Sequence, residues 1–191
     1  DAICLIEENG KRILWVAIAD VAHYIEPETL LDDEAKARAT SVYLPHAVLP
    51  MLPSRLSDNL CSLRAKVPRL AMTVSMQIEN DCTIGKVAAF ESIIEVQENL
   101  SYEDALDNPK FQNMMDLAEE LRRNEIRLNL NSAELRPRVL EDEVSVNVKW
   151  PNKATEMIET FMVATNNSIG ILLGEKNAPL PWRCHAPPDA P

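Results

Sequence analysis

The sequence predicts a mixed α+β domain, because strand patterns dominate its first half and helical patterns its second. Two apolar runs separated by Asn9-Gly10 predict a β-hairpin over residues 2–20, since this pair readily adopts the positive φ angles of a type I′ turn. Residues 69–79 alternate apolar with smaller or polar side chains, which is typical of a strand with one buried face. Residues 153–173 carry apolar side chains at helical spacing.

The Asn9-Gly10 turn also predicts the register of the hairpin, in which opposite residue numbers sum to 19. This register pairs the acidic Glu7 and Glu8 with basic residues across the strands, which supports it. It places Asp1 opposite Ile18. Asp20 is therefore expected near Asp1, at the end of the sheet away from the turn.

The remaining elements follow in chain order. We expect a helix over 30–39 with Asp32 or Asp33 as N-cap, followed by an ordered surface loop over 40–63. A strand is expected over 84–96, and a helix then begins with a Ser101–Asp104 capping box. A helix over 111–130 and a strand over 143–150 follow. In the helix over 153–173 the expected buried stripe consists of Ile158, Met162, Thr165, Ile169 and Leu172.

Composition indicates a soluble globular domain, since 46% of the 191 residues are hydrophobic and 26% are charged. The apolar runs are much shorter than the roughly 20 residues that span a bilayer, and no export signal is visible, so we expect no membrane partner. The four cysteines, Cys4, Cys61, Cys82 and Cys184, form no CxxC pair, which indicates neither a zinc site nor a disulfide framework. A reducing, cytoplasmic location is expected.

The net charge of −11 argues against a protein that coats nucleic acid without specificity. One segment, residues 41–71, is locally basic, with Arg55, Arg64, Lys66 and Arg69 against the single acid Asp58. These cations could meet phosphates, or they could form an ordinary solvated face. Tyr43 could likewise be a stacking platform for a nucleobase or a core residue.

Asp20 closes the apolar run "WVAIAD", where an unpaired buried carboxylate would be costly. It could share a hard cation such as Mg²⁺ with Asp1, or it could cap a loop or pair with an arginine, which are the commoner uses of such a residue. Glu159 by itself is typical of an exposed helix acid. The residues alone therefore indicate a soluble α/β domain with a candidate anion site.

Longer motifs add a family resemblance. The stretches "VAIADVAHYIEP" (16–27), "SVYLPHAVLPMLPSRLSDNLCSL" (41–63), "RLAMTV" (69–74), "LSYEDA" (100–105), "IETFMVATN" (158–166) and "PWRCHAPP" (181–188) occur in this order. Together they resemble the RNB catalytic domain of the ribonuclease II family, over almost the whole chain.

The resemblance implies a function and a set of site residues. Members of the family are processive 3′-to-5′ exoribonucleases that hydrolyse single-stranded RNA to nucleoside 5′-monophosphates, with Mg²⁺ held by aspartates in a D-x5-D-x-D-D-A motif. The initial Asp1-Ala2 matches the end of that motif, which makes Asp1 a catalytic residue and metal ligand by implication. Tyr43 is then expected to hold the RNA 3′ end. Tyr102 and Glu159 are expected to contact terminal nucleotides and help distinguish ribose, and Asp20 to order its region by hydrogen bonding.

The same resemblance suggests that residues 1–191 are part of a single RNB catalytic domain. The three earlier aspartates would precede residue 1, and the family's later arginine-rich motif and its flanking oligonucleotide-binding barrels have no match here. The complete protein is expected to be monomeric. Two alternatives stay open: a catalytically inactive RNB-like domain that binds RNA or a protein partner, and an unrelated α/β binding domain.

Overall fold

The computed structural model of the protein describes residues 1–123, 132–140 and 143–182. In chain order the elements are β1 (Ala2–Glu8), β2 (Lys11–Ala19), α1 (Leu30–Arg38), β3 (Val42–Tyr43), β4 (Val48–Leu49), a π-helical turn (Arg55–Leu60), β5 (Pro68–Ile78), β6 (Ile84–Glu95), α2 (Tyr102–Leu106), a 3₁₀ turn (Pro109–Phe111), α3 (Gln112–Arg123), β7 (Glu134–Leu140), β8 (Glu143–Lys149) and α4 (Lys153–Glu175).

The central feature is an antiparallel four-stranded sheet in the order β1-β2-β5-β6. Its first hairpin has the expected register, with Glu8 paired to Lys11 and Ala2 paired to Ala17. Asn9 and Gly10 adopt φ angles of 53° and 71°, which are the angles that the turn requires. β1 is an edge strand, and Asp1 precedes it directly.

Helices α3 and α4 cover one face of the sheet and form the core with it. Leu14 and Met76 lie fully buried on β2 and β5, while Leu117 and Phe161 meet them from the two helices. The buried Leu14 and Val16 are two positions apart on β2, and the buried Leu117 and Leu121 are one helical turn apart on α3, so the strands and α3 each contribute one apolar face.

The buried face of α4 differs from the expected stripe. Thr165 of that stripe is buried, but Ile158, Met162, Ile169 and Leu172 are only partly buried. Other buried positions include Met157, Phe161, Ala164 and Ser168. The helix contacts α2, α3, β2 and β6, so apolar side chains are needed around much of its circumference. For such a helix, periodicity does not select one stripe.

The N-cap of α1 also differs from the prediction: it is Thr29, and neither Asp32 nor Asp33. The Thr29 hydroxyl accepts a hydrogen bond from the Asp32 N–H at 3.3 Å, and the Asp32 carboxylate accepts one from the Glu28 N–H at 2.8 Å. Asp32 therefore sits at the third helical position, where a carboxylate interacts favourably with the helix dipole.

The region after α3 holds an element that the sequence did not predict. β7 pairs with β8 in a separate two-stranded sheet, whereas only the second strand was expected. α3 ends at Arg123 in the described range, and the expected continuation over 124–130 lies outside the described residues, as does Cys184. The expected loop over 40–63 contains the short hairpin of β3 and β4.

Candidate functional site

Asp1 and Tyr102 line one cavity of about 910 Å³ beside strand β1. Its walls include β1, the end of β6 with the linker that follows it to Ser101, α2 and the first turns of α4, which contribute Ala154 and Ile158. We call this space the edge cavity. Two residues far apart in the chain are brought to it, one by an edge strand and one by the start of a helix.

The linker that leads to Tyr102 is fixed by Asn99. The Ala65 N–H donates to the Asn99 side-chain oxygen at 2.6 Å, and the Asn99 amide donates to the Leu63 carbonyl at 3.0 Å. A parallel β-bridge between Ala65 and Val96 adds to this connection. Asn99 thus satisfies backbone groups of the neighbouring loop and holds the linker against it.

The helix start places Tyr102 at the rim of the edge cavity. Ser101 caps α2 by accepting from the Asp104 N–H at 3.0 Å, and its hydroxyl donates to the Asp104 carboxylate at 2.6 Å. This confirms that the Ser101–Asp104 pair begins a helix. Tyr102 is 39% exposed, so its ring is accessible to a ligand.

A lysine lies over the Tyr102 ring. The Lys149 ammonium, at the end of β8, is 5.2 Å from the ring centroid and 3.2 Å from a carboxylate oxygen of Glu103. The first distance is within the range of a cation–π interaction. The pKa of Glu103 lies below its usual value because its own backbone N–H, and then Lys149, stabilise the carboxylate.

The charged residues in the lining of the edge cavity are mostly acidic. Asp1, Glu95 and Glu98 belong to its lining, and Lys110 in the same lining forms an ion pair with Glu98 at 3.1 Å. A polyanion that entered the cavity would meet net negative charge, unless a cation bound there as well.

Tyr43 lies outside the edge cavity, on the β3–β4 hairpin. It is 78% exposed and pairs with Val48, whose side chain is also exposed. The interpretation of Tyr43 as a core residue is therefore wrong, and its ring is available for stacking.

Glu159 is exposed on α4 and is not part of the cavity lining, although the preceding residue, Ile158, is. Of the four residues implied by the resemblance, Asp1 and Tyr102 are thus brought together. Tyr43 and Glu159 are exposed outside the cavity lining.

Asp20 is 7% exposed and caps the turn that follows β2. Its carboxylate accepts a hydrogen bond from the His23 N–H at 3.2 Å, and its own N–H donates to the Leu70 carbonyl at 3.2 Å. The ring of His23 contacts that of Tyr24 edge-to-face at 5.3 Å. The expected ordering role of Asp20 is confirmed, since its hydrogen bonds hold the turn.

The basic segment mainly stabilises its own loop. Arg64 donates to the Asp58 carbonyl at 2.6 Å, Lys66 to the Gln97 side chain at 2.7 Å, and Arg69 to the Ser62 carbonyl at 3.0 Å. These contacts favour a structural role for three of its four cations over a phosphate site.

Within residues 1–123, 132–140 and 143–182, no group of three or more histidines, cysteines or acidic residues is arranged to hold a metal ion. Asp1 can offer one carboxylate, so these residues do not by themselves make a complete magnesium site. The described part of the chain also holds no helix that is long and apolar enough to cross a membrane.

The sequence does not predict the roles of two residues in this region, Asn99 and Lys149. Asn99 carries no motif of its own, and its partners lie over thirty positions away in the chain. Lys149 reaches Tyr102 only through the β7–β8 hairpin, which was not expected as a unit. A lone lysine at a strand end gives no sequence signal for such a contact.

The RNB domain family model matches residues 1–191. Ribonuclease R of Chlamydia muridarum is 34% identical to this chain over 205 residues, which cover 99% of the chain and 30% of that relative. The chain therefore spans about a third of its relative's length or less.

Solved structures agree with this match. Mycoplasma genitalium RNase R in complex with ribose methylated single-stranded RNA has a TM-score of 0.88 at 29% identity, and the match covers 97% of this chain and 32% of that one. Yeast Ssd1, a pseudonuclease, has a TM-score of 0.68 at 18% identity over 92% of this chain and 24% of its own, which is a likeness in fold alone. The resemblance found in the motifs and the mixed α/β fold are both confirmed, and the chain belongs to the RNB domain family.

Proposed function

We propose that this chain is part of a 3′-to-5′ exoribonuclease that degrades single-stranded RNA processively to nucleoside 5′-monophosphates with the help of Mg²⁺. The observation that carries this proposal is that Asp1 and Tyr102 both line the edge cavity in a chain of the RNB family. The Asp1 carboxylate would bind a metal ion and the Tyr102 ring would contact a nucleotide, both at the 3′ end of the RNA.

The charge of the edge cavity supports a cation-assisted reaction. Its lining carries the carboxylates of Asp1, Glu95 and Glu98, and its lysine is already paired with Glu98. Bound Mg²⁺ would neutralise phosphate charge and activate a water molecule. Asp1 would contribute one ligand, and further carboxylates would have to complete the set.

The other site residues would hold and select the RNA. Tyr43, on its exposed hairpin, would stack on a base near the 3′ end, because every base offers a π-face to an aromatic ring. Glu159 would accept a hydrogen bond from a ribose 2′-hydroxyl, and Tyr102 would contact a terminal nucleotide. A deoxyribose lacks that hydroxyl, so this contact discriminates RNA from DNA.

A second candidate is an RNB-like domain that binds RNA or a protein without cleaving RNA. This candidate stays open because the described residues supply only one carboxylate of the metal motif, that of Asp1, and because a related fold occurs in yeast Ssd1, a pseudonuclease. Both candidates predict the same fold, so only an activity measurement separates them.

The test uses the full-length protein, meaning the product of the whole reading frame that contains these residues. It is incubated with a 5′-labelled single-stranded oligoribonucleotide, once with Mg²⁺ and once with EDTA. We expect stepwise shortening from the 3′ end with release of 5′-monophosphates, and no reaction in EDTA. Binding without cleavage would favour the inactive domain, and no RNA binding would contradict both candidates.

The 191-residue chain alone is expected to show negligible cleavage, because it offers a single aspartate of the metal motif. Mg²⁺-dependent release of monophosphates by this chain would show that reasoning to be wrong. We further propose a cytoplasmic location and a monomeric full-length protein. The free thiols of Cys4, Cys61 and Cys82 are consistent with a reducing compartment.

A further inference from the structure

The β7–β8 hairpin meets helix α2 through the side chain of Lys149. This residue is the last of β8, and its ammonium contacts both the Glu103 carboxylate, at 3.2 Å, and the Tyr102 ring, at 5.2 Å. The side chain of Lys149 is only 30% exposed, so most of its length is removed from water. The contact with the ring is therefore less screened than one on an open surface.

We propose that Lys149 is a positioning residue that holds the Tyr102 ring in the orientation that discriminates ribose from deoxyribose. This inference rests on the proposed function, in which Tyr102 contacts a terminal nucleotide. Lys149 would act through the ring and would not touch the reacting phosphate.

The surroundings of Tyr102 show why such a residue is needed. Helix α2 has five residues, and its hydrogen bonds at the N-cap fix the backbone of Ser101 and Asp104 but do not themselves set the χ angles of the Tyr102 ring. A cation over one face of the ring favours a single orientation, while the ring still contributes to the wall of the edge cavity.

The neighbouring cation on the hairpin is engaged elsewhere. Arg136, on β7, forms an ion pair with Glu134 at 2.9 Å, and Glu134 is the cross-strand partner of Lys149. Arg136 also lies near Tyr102 and Glu103, but its guanidinium is paired with Glu134, and Lys149 is the cation that lies over the ring.

The test compares substrates in the full-length protein. kcat/KM is measured for an all-ribose oligonucleotide and for the same oligonucleotide with 2′-deoxyribose in its last nucleotides, and the ratio gives the ribose selectivity. Lys149→Met keeps the aliphatic stem and removes the charge, so we expect the ratio to fall about two- to fivefold. Lys149→Arg keeps a cation over the ring and should restore the parental ratio.

Three further variants separate positioning from a structural tie. Lys153→Met removes a nearby exposed lysine that pairs with Glu119, and it should leave the ratio unchanged. Glu103→Gln removes the ion pair that ties the hairpin to α2 and should also leave the ratio unchanged. In a Tyr102→Leu background, Lys149→Met should have no further effect on the ratio, because the ring through which it acts is gone.

The outcomes distinguish this inference from the proposed function. A parent protein that neither cleaves RNA nor prefers ribose would contradict the proposed function. If the parent prefers ribose but Lys149→Met keeps the parental ratio, the inference about Lys149 is wrong and the proposed function stands. A Lys149→Met variant that loses activity equally on both substrates would assign Lys149 to hairpin attachment instead.

Discussion

Replacing Tyr43 by alanine should separate RNA binding from folding. The side chain is 78% exposed, so its removal leaves no cavity and should change the free energy of unfolding very little. A base–aromatic stack contributes about 1 to 3 kcal/mol, which corresponds to a loss of about 5- to 150-fold in affinity. Digestion of RNA should also stop at a longer end product, because the last nucleotides are held less well.

The assay for Tyr43 measures the dissociation constant for a single-stranded oligoribonucleotide and the length of the final product from a 5′-labelled strand. Tyr43→Phe is the matched control, since it keeps the ring and should behave like the parent. Val48→Ala, in the cross-strand partner, tests whether the hairpin itself is responsible. Unchanged affinity and product length in Tyr43→Ala would refute a stacking role, and equal losses in Val48→Ala would assign the effect to the hairpin.

Two further predictions concern the fold. Phe161→Ala removes a fully buried ring of α4 and should lower the free energy of unfolding by about 3 to 5 kcal/mol in a denaturant titration; a loss below 1 kcal/mol would contradict the core assignment. Glu120 on α3 forms an ion pair with Arg12 on β2 at 3.0 Å and accepts a hydrogen bond from the Cys82 thiol at 3.2 Å. The hydrogen bonds from Cys82 and then from Arg12 lower the pKa of Glu120, so the stability that the pair contributes should be present near neutral pH and lost as the pH falls through the pKa of Glu120 in the folded protein. Because the pair is partly exposed, the effect should stay below about 1 kcal/mol, and Glu120→Gln should abolish this part of the pH dependence.

The sequence was sufficient for features that depend on local chemistry. Asn9-Gly10 selects one turn type, and that turn determines the register that places Asp1 at the sheet end. Asp20 closes a buried strand, and the structure gives it the capping role that is common for such a residue. These predictions need only neighbouring residues and the period of the strands.

Other features depend on contacts between distant segments. The face of α4 that is buried is decided by the elements around it, so Phe161 could not be chosen over Ile158 from spacing alone. β7 includes Pro137, which argues against a strand, and it is tolerated in a hairpin of two strands where each strand is an edge. Without this hairpin the contact between Lys149 and Tyr102 could not be predicted.

Substitution of Asp1 tests most directly the central claim, which is that this chain contributes a metal ligand to RNA cleavage. Asp1→Asn keeps the size of the side chain and removes one negative charge, so it should spare folding and most of the RNA contacts. Loss of a residue that only hydrogen-bonds a metal ligand typically lowers metal affinity or activity by about 10- to 100-fold. Loss of a direct ligand should cost at least as much, so we expect the single-turnover cleavage rate of the full-length protein to fall by at least that factor. The dissociation constant for the same oligoribonucleotide should change far less. An unchanged rate would exclude Asp1 from the active site, and equal losses in rate and affinity would show that it acts through folding or RNA positioning.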